Sequence, residues 1–222
     1  MIKSTTLPAV SLGIAISVAP WVHAGESATI LLSQDEETRL ALDAGPEHLR
    51  ADAAVYVFGP QGYRKTRNGT NGFTCLVNRD GNQAGDKDLK PTCWDAEGSR
   101  TILPVMLRVG ELIARSASAE DIHRDIEAGF ASGKFSSPAK AGIAYMLRGD
   151  LTFDPQTKRI TGTAFPPHYM IYAPGINNAD IGMAAQHSGS KFALPMVYAG
   201  YSGGTRTAYI IVPAAMGAGH EH

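Results

Sequence analysis

The chain has only two cysteines in 222 residues, Cys75 and Cys93. That excludes a disulfide-dense miniature scaffold, and two sulfurs without partner ligands exclude a structural zinc site. Positive charge is not in surplus: 20 Lys and Arg stand against 21 Asp and Glu, a formal net charge of −1. There is no basic field for nucleic acid and no polybasic patch for anionic lipid. No apolar run reaches the roughly 20 residues that a membrane-spanning helix requires. Internal repeats and low-complexity tracts are also missing, which excludes repeat arrays and compositionally biased linkers.

Turn-formers are plentiful, with 24 Gly and 13 Pro, while a hydrophobic content of 44% is ordinary for a folded globular chain. Near the start, Lys3 is followed by the apolar stretch Leu7 to Val18, Pro20 and then Val22-His23-Ala24. This is the order of a secretory signal, with cleavage expected after Ala24. The expectation is an exported protein, periplasmic or extracellular, without stable membrane insertion after cleavage. Residues 25–222 would form a single domain, with a flexible tail from about 214 rich in Gly and Ala.

Ser33 to Ala44 reads as a helix: Ser33 caps it, Asp35, Glu36 and Glu37 suit its positive end, and Gly45-Pro46 stops it. Ala53 to Phe58, Tyr63 to Arg67 and Phe73 to Asn78 read as a three-stranded meander turned by GPQG and Asn-Gly pairs. Arg79 to Pro91 is polar and glycine-containing, hence a surface loop. Helices are expected over Thr101 to Ser116 and from Ser118 to Ala131, with Ile122, Ile126 and Phe130 on one face of the second. Strands return at Ala141 to Leu147, across the Asp154-Pro155 turn, at His168 to Tyr172 and at Tyr209 to Val212. Strands, then helices, then strands predict an α+β fold, with a mainly antiparallel sheet packed against two or three helices.

The two cysteines bracket one polar loop of an exported chain, which reads as a Cys75–Cys93 disulfide. A cysteine nucleophile would need a base, for which His168 could serve, and a lowered thiol pKa, and nothing near Cys75 is electropositive enough to require one. Gly200-Tyr201-Ser202-Gly203-Gly204 matches G-x-S-x-G, but a strand follows where the nucleophile elbow needs a helix. No Asp comes after Ser202 to complete the Ser, acid, His order. The stretch reads as a glycine-rich turn.

Asp80 to Asp88 resembles a calcium loop, yet Ala84 and Pro91 occupy positions where an EF-hand needs ligands. A cation site of another kind through Asp80, Asp86 and Asp88 is the alternative to a solvated loop. No cofactor motif is present, and no metal site is expected. His220-Glu221-His222 lies in the tail and makes a poor specific metal site.

His168 follows two prolines and opens an apolar strand, on which it shares a face with Met170 and Tyr172. An imidazole at a rigid strand mouth can be a general base, a ligand or a hydrogen-bonded structural group. His123, beside charged residues on a helix, reads as solvated.

Three blocks, GTNGFTC (Gly69 to Cys75), CWDAEG (Cys93 to Gly98) and PPHYMIYAPGINNADIG (Pro166 to Gly182), together resemble a group of uncharacterised exported bacterial proteins. The resemblance implies export and a bacterial source, and it brings no reaction, ligand or partner. Some members carry His-Pro-His ahead of the strand. Here Pro166-Pro167-His168 lacks the first of those histidines, and with it a paired-histidine metal site.

The leading reading is a periplasmic or secreted binding domain without catalysis, with a cleft near His168 for a small molecule or a protein. The alternative is a small hydrolase-like enzyme. It would use His168 as general base, with Asn71, Glu97 or Asp180 as orienting or polarising groups.

Overall fold

The structure, a computed structural model, describes residues 29–183, 195–199 and 203–214. The N-terminal segment read as a secretory signal, Ser202 of the G-x-S-x-G match and the tail beyond 214 lie outside the described residues. Helix α1 (Gln34–Asp43) starts as expected: the Ser33 hydroxyl accepts from the Glu36 N–H at 3.3 Å. A short α2 (Glu47–Arg50) follows. Strands β1 (Ala54–Gly59) and β2 (Gly62–Arg67) form an antiparallel hairpin.

Strand β3 (Thr74–Asn78) does not complete the expected meander. It pairs with β1 on the side away from β2, and runs parallel to it, with Ala54 beside Thr74 and Val55 beside Cys75. The segment before β3 wraps the start of β1. The N–H groups of Thr70 and Asn71 both donate to the Asp52 carbonyl, and the Ala54 N–H donates to Phe73. Gly69 passes so close that a Cβ would collide with the Ala54 backbone nitrogen. Gly72 then turns at φ 80°. The two Asn-Gly pairs therefore do different jobs, one a close approach and one a left-handed turn.

Strand β4 (Asp88–Trp94) pairs antiparallel with β3. Short α3 (Ala96–Thr101), then α4 (Leu103–Ala114) and α5 (Ala119–Ala131) follow, the last capped by Ser118 as expected. Next come β5 (Ile143–Met146), β6 (Asp150–Asp154), β7 (Arg159–Phe165), β8 (His168–Tyr172), β9 (Met196–Tyr198) and β10 (Tyr209–Pro213). The path across the sheet is β2-β1-β3-β4-β5-β8-β10-β9, and the β6–β7 hairpin branches off β4. The described residues thus form an α+β fold with a mostly antiparallel sheet and no helix long and apolar enough to cross a membrane.

Strand alternation sorts the core onto two faces. Leu40 and Ala41 of α1 pack with Val55, Val57, Val77 and the disulfide on one face. On the other, α4 and α5 pack over Phe58, Leu76, Trp94, Met170 and Tyr172. Cys75 and Cys93 stand directly opposite each other on β3 and β4 and are joined.

The expected surface loop from Arg79 is corrected. Arg79 and Asp80 are buried, and the ladder resumes at Asp88. Polarity misled here because Arg79 is paired inside the fold with Glu37, at 2.6 Å.

Pro91 explains where the sheet divides. It lacks an N–H, so it cannot serve a central ladder on both sides. Strand β4 meets β6 at Asp88 and Leu89 and β5 at Cys93 and Trp94, with Pro91 between the two pairings. Met146 ends β5 and Asp150 begins β6, so they flank the division.

Candidate functional site

A cavity of about 210 Å³ opens over this division, on the α4 face of the sheet. Strand β8 supplies His168 and Met170, β4 supplies Lys90, Thr92 and Trp94, and β10 supplies Tyr209 and Ile211. Met146, Met106 of α4 and Met196 of β9 complete a wall with four thioethers. The other end is polar, formed by Asn78, Asp80, Asp86 and Asp150 around Lys90. Period-2 alternation placed His168, Met170 and Tyr172 on one face, and all three are buried there.

His168 is 2% exposed. Its Nδ1 lies 2.8 Å from the Pro166 carbonyl oxygen, to which the Nδ1–H donates. That tautomer leaves Nε2 as the lone-pair nitrogen. Burial pulls the imidazole pKa below its ordinary value, opposed by the Pro166 hydrogen bond, so the ring is neutral near pH 7. The Phe165 ring stands edge-on to it, with centroids 4.9 Å apart.

At the polar end the Lys90 ammonium reaches Asp86 Oδ2 at 2.8 Å and Asp80 Oδ1 at 3.9 Å. Burial works against its charge, but Asp80 and Asp86 outweigh burial and push the pKa up to about 12. The internal ammonium thus stands where a bound cation would bridge Asp80 and Asp86. Burial raises the Asp150 carboxyl to about 7, with Lys90 opposing and the other aspartates reinforcing. Asp150 Oδ1 is buried and has no hydrogen-bond partner among the described residues. Asn78 bridges the two ends, its Nδ2 lying 3.3 Å from Met106 Sδ.

The other three candidate residues do not line this cavity. Asn71 donates from Nδ2 to the Leu49 carbonyl at 2.8 Å and accepts from the Phe73 N–H at 3.0 Å, so its amide closes the wrap around β1. Glu97 accepts from Arg100 at 2.8 Å and from the Ala139 N–H at 2.7 Å. Those two contacts hold its pKa below the ordinary carboxylate value. Asp180 accepts from the Asn177 N–H at 2.8 Å, half of a capping box on a short 3₁₀ turn. His123 is exposed on α5.

Comparison with protein-family models, with curated proteins and with solved structures finds no match. The site must therefore be read from its own chemistry.

Sequence reasoning missed Lys90, Asp150, Asn78 and, apart from Met170, the methionines. Lys90 was hidden inside the supposed loop. A signal for it was present, because Lys90, Thr92 and Trp94 alternate with Leu89, Pro91 and Cys93. The methionines carried only the periodicity of ordinary core residues.

Proposed function

We propose that this protein is an exported, non-catalytic binding domain whose binding site is the cavity beside His168. The observation that supports this most is the lining itself: a mainly apolar wall with a few convergent polar groups, the usual make-up of a small-molecule or cofactor site. His168 has its hydrogen bond to a backbone carbonyl rather than to a carboxylate or nucleophile. The hydrolase reading needs orienting groups in that pocket, and Asn71, Glu97 and Asp180 are engaged elsewhere. The disulfide and the signal-like N-terminal segment support export.

Native mass spectrometry of the protein recovered from its own cells tests the reading. A chain beginning at Gly25 and carrying a one-to-one mass excess is expected. The excess should vanish in Met196→Trp, which fills the cavity from the edge strand. A protein that is empty as isolated and takes up no guest when offered one, or hydrolase turnover lost in His168→Ala, would overturn it.

A further inference from the structure

We infer that the guest is a soft monovalent metal ion, Cu(I) with Ag(I) as its analogue, held by His168 Nε2 and the thioethers of Met146 and Met170. This rests on the reading of the cavity as a binding site.

Register brings the three side chains together. Met146 on β5 lies directly opposite His168 on β8, and Met170 is two residues further along the same face of β8. Side chains directly opposite in an antiparallel pair leave the backbone with Cβ atoms about 5 Å apart. A methionine has three rotatable side-chain bonds with which to close on a shared point. All three residues line the one cavity.

The donor chemistry selects the ion. Thioethers are soft and uncharged; they suit Cu(I) and not Mg, Ca or Mn, which take carboxylates and carbonyls. His168 supplies one nitrogen in the required form, with Nδ1–H donating to Pro166 and Nε2 left with its lone pair. A backbone carbonyl behind the imidazole is a common outer-shell partner of metal-binding histidines, fixing tautomer and ring orientation. Pro166 and Pro167 stiffen the chain that carries the carbonyl. Met106 and Met196 add two further thioethers around the same space.

The described residues offer harder ions no comparable place. Among the described residues no group of three or more His, Cys, Asp or Glu is arranged to hold a metal ion. Asp80 and Asp86, at the other end, already hold the Lys90 ammonium, at 3.9 and 2.8 Å.

The test is an anaerobic titration of the metal-free full chain with Cu(I) against a competing chelator, in parallel with Ag(I) and Zn(II). One Cu(I) or Ag(I) per chain is expected, with sulfur and nitrogen neighbours in the X-ray absorption spectrum, and no matching Zn(II) site. Met146→Leu with Met170→Leu conserves volume and should weaken Cu(I) at least 100-fold while the fold and melting behaviour persist. His220→Ala with His222→Ala should retain the site. Equal binding by the methionine variant, or loss in the tail variant, overturns the proposal. A protein that carries an organic guest but takes neither Cu(I) nor Ag(I) overturns the metal and leaves the binding-domain reading standing. An empty native protein that also takes neither ion overturns both.

Discussion

Glu37 on α1 and Arg79 at the end of β3 form a two-pronged ion pair, at 2.6 and 2.7 Å, with neither side chain exposed to solvent. Arg79 also donates to the carbonyls of Ile30 and Val77, and Glu37 accepts the Phe58 N–H at 3.2 Å. The guanidinium lies over the Phe58 ring, 4.6 Å from its centroid. Removing one partner strands a buried charge, which costs about 3–5 kcal/mol. Glu37→Gln and Arg79→Met should each lower stability by that amount in urea unfolding. The double replacement Glu37→Met with Arg79→Met should cost less than the sum. Additive losses would show that the two groups act independently.

The cross-strand disulfide spans 18 residues. On the chain-entropy model a loop of this size contributes about 3 kcal/mol. Cys75→Ala with Cys93→Ala should lose roughly that in urea, and intact-mass analysis after alkylation without reductant should find no free thiol. Two alkylated thiols would remove the cross-link from the account.

Gly69→Ala should cost at least about 2 kcal/mol, because the added methyl group meets the backbone of β1 rather than a movable side chain. Gly162→Ala, on β7 with nothing within 4 Å of the new carbon, is the control and should be near neutral. Equal thermal shifts for the two would refute the wrap as the device that sets β3 beside β1.

Asp150 carries its carboxyl up to about 7 because burial disfavours the anion. In an unfolded chain it titrates near 3.9. Between these values the native state holds a proton that the unfolded state has released, so stability falls as pH rises from about 4 to 7. Asp150→Asn should therefore raise stability at pH 8, by about 4 kcal/mol at most, and change it little at pH 4. A gain independent of pH would point to packing instead.

His168 behaves oppositely. Burial lowers its pKa, so in the window just below 6.5 the unfolded chain binds a proton that the native protein refuses. Stability contributed by the neutral ring is present above pH 6.5 and is lost as pH falls toward the folded pKa. In the metal-free protein, ¹⁵N NMR at pH 6.5 should show a neutral ring protonated on Nδ1. An imidazolium signal there, or an Nε2–H tautomer, would contradict the Pro166 hydrogen bond. His168→Gln should flatten the acid limb of the stability profile.

Much of the local structure was legible because its causes are local. Ser33 and Ser118 cap the helices they were expected to cap, since a side-chain oxygen reaches N–H groups two or three residues on. The face shared by His168, Met170 and Tyr172 followed from alternation alone. Failures came where a polar residue had a distant partner. Arg79 and Lys90 look solvated until Glu37 and Asp86 are brought beside them.

Taken alone, the sequence determined the α+β composition, the cysteine pairing and which side chains share a strand face, because propensity, capping and period-2 geometry act over short stretches of chain. Tertiary structure alone decided that β3 lies beside β1 in parallel, that Arg79 is buried, and that Met146, His168, Met170 and Asp150 surround one cavity. Periodicity tells a residue which face it occupies but not which strand becomes its neighbour. Strand order is set by long-range packing, by the wrap at Gly69 and by the division of the sheet at Pro91.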